Sequence, residues 1–136
     1  MKSYVLLIGL EKEEKIEVGR RGAIPFKEGF YAYVGSAKKN LIQRIERHHS
    51  REKKFHWHID YLLEFSEIVE TYLSSMDECE IAGELSKNFS SIGGFGSSDC
   101  GCPSHLFYSG NIKDFRNSFR IMNFEKFREL KGQLSR

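Results

Sequence analysis

The sequence predicts an α+β fold, a small and mainly antiparallel sheet flanked by helices. Three observations carry that expectation. Strand-like and helix-like runs interleave along the chain, but the first strands follow one another across short polar turns, which favours hairpins over a doubly wound sheet. The chain has 136 residues, which fits a single domain spanning 1–136. Apolar residues make up 40% of it, enough to fill one core, and no run of 18 apolar residues exists to cross a membrane.

The elements follow in order. Ser3 to Leu10 (SYVLLIGL) is a short apolar run rich in β-formers and reads as a buried first strand rather than a signal peptide. EKEEK is a polar turn, and Lys15 to Val18 alternates as a second strand should. Gly19 to Gly22 is a turn, and Pro25 to Gly29 reads as a connector. Phe30 to Val34 (FYAYV) is aromatic and β-favouring, and Gly35 and Ser36 end it. Leu41 to His49 reads as a helix that starts near Lys38 or Lys39, with Leu41, Ile42 and Ile45 as its apolar positions. Trp57 to Leu63 fits either a helix or a strand. Glu67 to Leu73 reads as a strand. Asp77 with Glu80 forms a capping-box pattern ahead of a helix carrying Cys79, Ala82, Leu85 and Phe89. Gly93 to Ser104 is a loop of small residues, and His105 to Tyr108 is a short strand. Asn123 to Leu134 reads as a final amphipathic helix with Phe124, Phe127 and Leu130.

The net charge is only +2, but it is unevenly distributed. Residues 38–54 hold seven basic side chains (Lys38, Lys39, Arg44, Arg47, Arg51, Lys53, Lys54) against two Glu. Residues 55–84 hold eight acids and no Lys or Arg, and residues 113–136 are again basic, with seven Lys/Arg against three acids. Basic blocks attract polyanions, whereas acidic clusters bind cations or are simply solvated. Three cysteines are an odd number, which argues against a secreted disulfide framework and for a reducing, cytoplasmic setting.

The segment richest in chemistry is Gly29 to His48, GFYAYVGSAKKNLIQRIERH. A strand ends at Tyr33, a small-residue turn follows, and a helix places Arg44 and His48 one turn apart on one face. A phenol, a guanidinium and an imidazole would then converge. Phosphodiester hydrolysis needs such groups, because the attacking water must lose a proton and the phosphorane charge must be neutralised. A guanidinium fork matches phosphate oxygens. The same pattern also describes an aromatic core strand followed by a basic surface helix.

YVGSAKKNLIQRIERH resembles the second motif of the GIY-YIG nuclease superfamily, with Tyr33, Val34 and Gly35 on its Tyr-Ile-Gly and Arg44 on its helix Arg. His48 falls where many members carry His or Tyr. In the first motif, Lys2-Ser3-Tyr4 stands where Gly-Ile-Tyr would, so the Tyr is kept and the Gly is not. The spacing from Tyr4 to Tyr33 is long for the superfamily, which implies an inserted hairpin over residues 11–28. With HWHIDYLL, ECEIA and GFGSSDCGCPSHLFY, the chain resembles one branch of the superfamily, found alone or fused to endonuclease III-type DNA repair glycosylases. The resemblance spans residues 3–108.

That resemblance implies a DNA endonuclease dependent on magnesium or manganese, with a functional link to a repair glycosylase. Tyr4 or Tyr33 would help activate water, Arg44 would stabilise the phosphorane, and a helix Glu would bind the metal. Glu80 is the first candidate and Glu78 the alternative. The two point roughly 200° apart on a helix, whereas Glu80 and Glu84 can share a face. Glu80 can equally be no more than a capping residue on a solvated helix. On a strand, His56, His58 and Asp60 would share one face, adding His58 as a shuttle or phosphate contact. Ser98 and Asp99 would lie beside the site. Lys38, Lys39, Arg47, Arg51, Lys53 and Lys54 would track the DNA backbone.

Two further readings remain. The same fold could bind nucleic acid without cutting it, since phosphate contacts give affinity by themselves. Alternatively Cys100, Cys102 and His105 could hold zinc in an interaction domain, although Cys-x-Cys is tighter than the usual zinc knuckle.

Overall fold

A computed structural model describes residues 1–37, 39–55, 57–95 and 102–128. It is an α+β structure with a six-stranded antiparallel sheet, a separate two-stranded ribbon and four α-helices among those residues. Strand β1 (Ser3–Leu10) sits near the middle of the sheet, between β4 (Gly29–Ser36) and β5 (Glu67–Ser74). Beyond β4 lie β7 (Leu106–Ser109) and β6 (Ser90–Ser91), and beyond β5 lies β8 (Glu125–Lys126).

The apolar run of β1 from Tyr4 to Leu10 has a plain cause: both of its faces are covered, so both alternate sets of side chains are buried. Tyr4, Leu6, Ile8 and Leu10 enter one core with Tyr31 and Tyr33 of β4. The ribbon β2 (Glu14–Glu17) and β3 (Ala23–Phe26) covers that core with Ile16 and Phe26, alongside α1 (Leu41–His49) and α2 (His58–Leu63). Val5 and Leu7 enter the opposite core with Ala32 and Val34, beneath α3 (Glu78–Ser86) and α4 (Ile112–Ile121). Each Val, Leu, Ile or Phe among them contributes about 1.5–3 kcal/mol on full burial. The ribbon is the hairpin expected over residues 11–28.

Three sequence expectations need correction. Residues 25 and 26 belong to β3 rather than to a connector, and Pro25 is tolerated there because a two-stranded ribbon has only edges. Trp57 to Leu63 resolves into helix α2, whose N-cap is Trp57, so His58 and Asp60 diverge instead of sharing a strand face. His56 lies outside the described residues. The last α-helix of the described chain is α4, not a segment from Asn123. Phe115 and Phe119 bury its inner face, Asn111 caps it by accepting the Lys113 amide, and Asn123 ends it in a left-handed conformation. Phe124 then stacks on Phe119, and residues 125–126 pair with β5. The part of the expected helix beyond residue 128 lies outside the described residues. No helix of the described residues is long and apolar enough to cross a membrane.

Candidate active site

The start of β1 and the end of β4 lie side by side, with Tyr4 opposite Gly35. A Cβ at position 35 would run into the Cζ and hydroxyl of Tyr4, so glycine there is what lets the phenol lie across β4. The Tyr4 hydroxyl reaches helix α1, where it and His48 Nε2 form a buried hydrogen bond of 2.7 Å. Tyr33 packs edge-on to the same imidazole at 6.0 Å between centroids. Trp57 closes another side of His48 at 5.7 Å.

His48 is 2% exposed, and its Nδ1 has no hydrogen-bond partner among the described residues. Neither neutral tautomer therefore satisfies both nitrogens, and one tautomer gains little over the other. Burial pulls the imidazole down to about pKa 3, with Asp60 opposing and Lys53, Arg47 and Arg44 adding to the fall. Burial also pushes the Tyr4 and Tyr33 phenols well above their ordinary range, helped by the Glu78 carboxylate and opposed by Arg44. At neutral pH the group is thus two protonated phenols around a neutral imidazole.

Ser36, the last residue of β4, joins the two charges beside this group. Its carbonyl accepts from Arg44 Nη1 at 3.1 Å, and its hydroxyl donates to Glu78 Oε1 at 3.0 Å. Arg44 also lies over the Trp57 ring, 4.9 Å from its centroid. The other Glu78 oxygen sits 3.4 Å from His105 Nδ1, and burial holds that imidazole below its ordinary pKa. Glu78 is thus at the edge of the tyrosine cluster. Glu80 is directed elsewhere: its Oε1 accepts the Asp77 amide at 3.1 Å, completing the capping box that starts α3. Glu84 pairs with Lys87 at 3.0 Å.

The structure therefore brings together Tyr4, Tyr33, Arg44, His48 and the alternative carboxylate Glu78. His58 begins α2 with its ring against Phe95 at 5.6 Å, and burial together with Arg21 lowers its pKa. Within the basic block, Arg47 forms a bidentate pair with fully buried Asp60, both bonds 3.0 Å, and donates to the Lys54 carbonyl. Arg51 donates to the carbonyls of Leu63 and Ser66 and to Glu67. Lys53 Nζ caps the end of α1 through the carbonyls of Arg47, His48 and Ser50. Lys39 and Lys54 are exposed. Lys38, Ser98, Asp99 and Cys100 lie outside the described residues.

Sequence reasoning did not single out Ser36, Asp60 as the Arg47 partner, or Cys79. Ser36 directly follows the Tyr-Val-Gly triplet, which was a usable signal. Cys79 offered none, because the residues it meets are remote in sequence.

A family model described as Domain of unknown function DUF123 matches residues 3–127, so the chain belongs to that family. No curated protein and no solved structure matches the chain.

Proposed function

We propose that this DUF123 member is a divalent-metal-dependent endonuclease with a GIY-YIG-like site, hydrolysing DNA phosphodiester bonds in a repair setting. The observation that carries the reading is Ser36, which holds Arg44 by its carbonyl and Glu78 by its hydroxyl beside the Tyr4–His48 hydrogen bond. The donor set fits a hard cation: Glu78 is partly exposed, and each of its oxygens keeps a second lone pair beyond its present contact. Magnesium needs only one or two carboxylates when water and phosphate supply the rest. Glu78 would hold the ion, which would polarise the phosphate and stabilise the leaving oxygen.

The chain's own groups do the remaining work. The buried phenols stay protonated at neutral pH, so neither acts as a standing phenolate. Tyr4 instead accepts a proton from the attacking water while passing its own to neutral His48. Asp60, which favours the protonated imidazole, supports that transfer. Arg44 neutralises charge on the phosphorane. Lys39 and Lys54 contact phosphates, while Arg47, Arg51 and Lys53 mainly hold α1 and the turn after it in place.

Purified protein incubated with single-stranded, duplex and branched DNA tests this in the presence of magnesium or manganese. Cleavage is expected to require the metal and to fall in Arg44→Ala and Glu78→Gln. Salt-dependent binding without cleavage under either metal would replace the reading with a non-catalytic nucleic-acid-binding module.

A further inference from the structure

A second donor cluster lies behind Glu78 and differs in chemistry from the first. The thiols of Cys79 and Cys102 and a ring nitrogen of His105 all lie within 4.8 Å of one another. They come from three places: the second residue of α3, the segment leading into β7, and the residue just before β7. Two soft sulfurs and an imidazole are a zinc-type donor set and a poor one for magnesium. Tetrahedral zinc with bonds of about 2.3 Å to sulfur puts its sulfur ligands about 3.8 Å apart. With every pair already within 4.8 Å, the sulfurs are at most about 1 Å from that separation.

The surroundings favour a metal. His105 is buried, its amide donates to the Phe95 carbonyl at 2.8 Å, and its own carbonyl accepts from Val34 at 2.9 Å. Its backbone is thus fixed on both sides. Its Nδ1 faces Glu78, the carboxylate–histidine contact that orients a metal-binding imidazole, and a metal taken at Nε2 leaves that contact in place. Cys79 sits in the first turn of α3, where the helix dipole favours a thiolate.

We propose that Cys79, Cys102 and His105 bind one zinc-class divalent ion, fixing His105 and through it the carboxylate of Glu78. The site shares Cys102 and His105 with the zinc alternative read from the sequence, adds Cys79, and leaves Cys100 aside because it lies outside the described residues. It goes beyond the nuclease reading and stands whether or not the chain cuts DNA, because its readout is bound metal.

The test uses full-length protein prepared under reducing conditions, stripped with a chelator and titrated with cobalt and then zinc. One equivalent of cobalt should bind with a thiolate-to-cobalt charge-transfer band that zinc abolishes. Cys79→Ser and Cys102→Ser should each lose the band and weaken binding roughly 100-fold or more, past the 10–100-fold typical of an outer-shell loss. Zinc should also protect Cys79 and Cys102 of unmodified protein from alkylation, a measurement that needs no variant to fold. A wild type without the band, a Cys79→Ser protein that keeps both band and affinity, or thiols alkylated equally fast with zinc would each overturn the proposal.

Discussion

Glu70 and Glu78 are two carboxylates of one small domain with opposite surroundings. Glu70 on β5 is gripped by Arg116 of α4 through two bonds of 3.2 and 3.0 Å, by Lys126 of β8 at 3.0 Å and by the Tyr72 hydroxyl at 2.5 Å. Burial alone would raise its pKa, but those hydrogen bonds outweigh burial and bring it down to about 2. Its charge is neutralised by two cations and fastens three elements together. Glu78 meets a hydroxyl and an imidazole that burial keeps neutral. Among the described residues no Lys or Arg pairs with it. Arg47 and Arg44 repeat the contrast: Arg47 forks onto buried Asp60, while Arg44, among the described residues, gives one hydrogen bond, to a carbonyl. The sign and number of charges in a segment do not separate structure from function; the partners each charge meets do.

Substitutions can break that contrast, starting where the effect is largest. Asp60→Ala leaves Arg47 without its buried partner and uncaps α2, so it should cost about 3–5 kcal/mol in urea unfolding. Arg44→Ala should leave the unfolding midpoint nearly unchanged and slow metal-dependent cleavage about 10²–10³-fold, the usual cost of one transition-state donor. Equal loss of stability and cleavage would place Arg44 with Arg47 among the structural charges. Gly35→Ala should destabilise by about 1–3 kcal/mol through overpacking against Tyr4. It should also lower cleavage in excess of its stability effect, because the Tyr4 hydroxyl moves off His48.

Glu70→Gln should cost about 1 kcal/mol and leave cleavage unchanged, since its cation partners lie at the surface. Acid titration separates two contributions. His48 is neutral in the folded state down to about pH 3 but binds a proton below about 6.5 when unfolded, so its share of stability is lost as pH falls through 6.5 toward 3. Glu70 has a folded pKa of about 2 against 4.5, so its share is full above 4.5 and disappears as pH falls toward 2. Unfolding followed against pH should show the first limb vanish in His48→Phe and the second in Glu70→Gln.

Much of this was readable where the signal is local. β1 shows as an apolar run from Tyr4 to Leu10, and α1 falls where its spacing predicts but begins at Leu41, after the expected start near Lys38 or Lys39. Tyr33, Arg44 and His48 lie within one strand–turn–helix segment, so spacing alone brings them together. Helix α4 was missed although Phe115 and Phe119 keep helical i, i+4 spacing, because the aromatic Phe124 and Phe127 drew the expected helix to the segment after it. The sequence favours Glu80 over Glu78 because Glu80 and Glu84 can share a helix face, whereas the contacts from Ser36 and His105 to Glu78 join residues remote in sequence. The basic block read as a phosphate surface because nothing in its sequence reveals that Arg47, Arg51 and Lys53 turn inward to a carboxylate and to carbonyls.

The claim that Glu78 is the functional carboxylate and Glu70 the structural one is tested most directly by one cleavage assay. Wild type, Glu78→Gln, Glu80→Gln and Glu70→Gln are compared on the same DNA with magnesium, each first shown to be folded by circular dichroism. The account predicts that Glu78→Gln loses cleavage about 10²-fold or more while Glu80→Gln and Glu70→Gln retain it. Cleavage by Glu78→Gln at the wild-type rate, or its loss in Glu70→Gln instead, would contradict it.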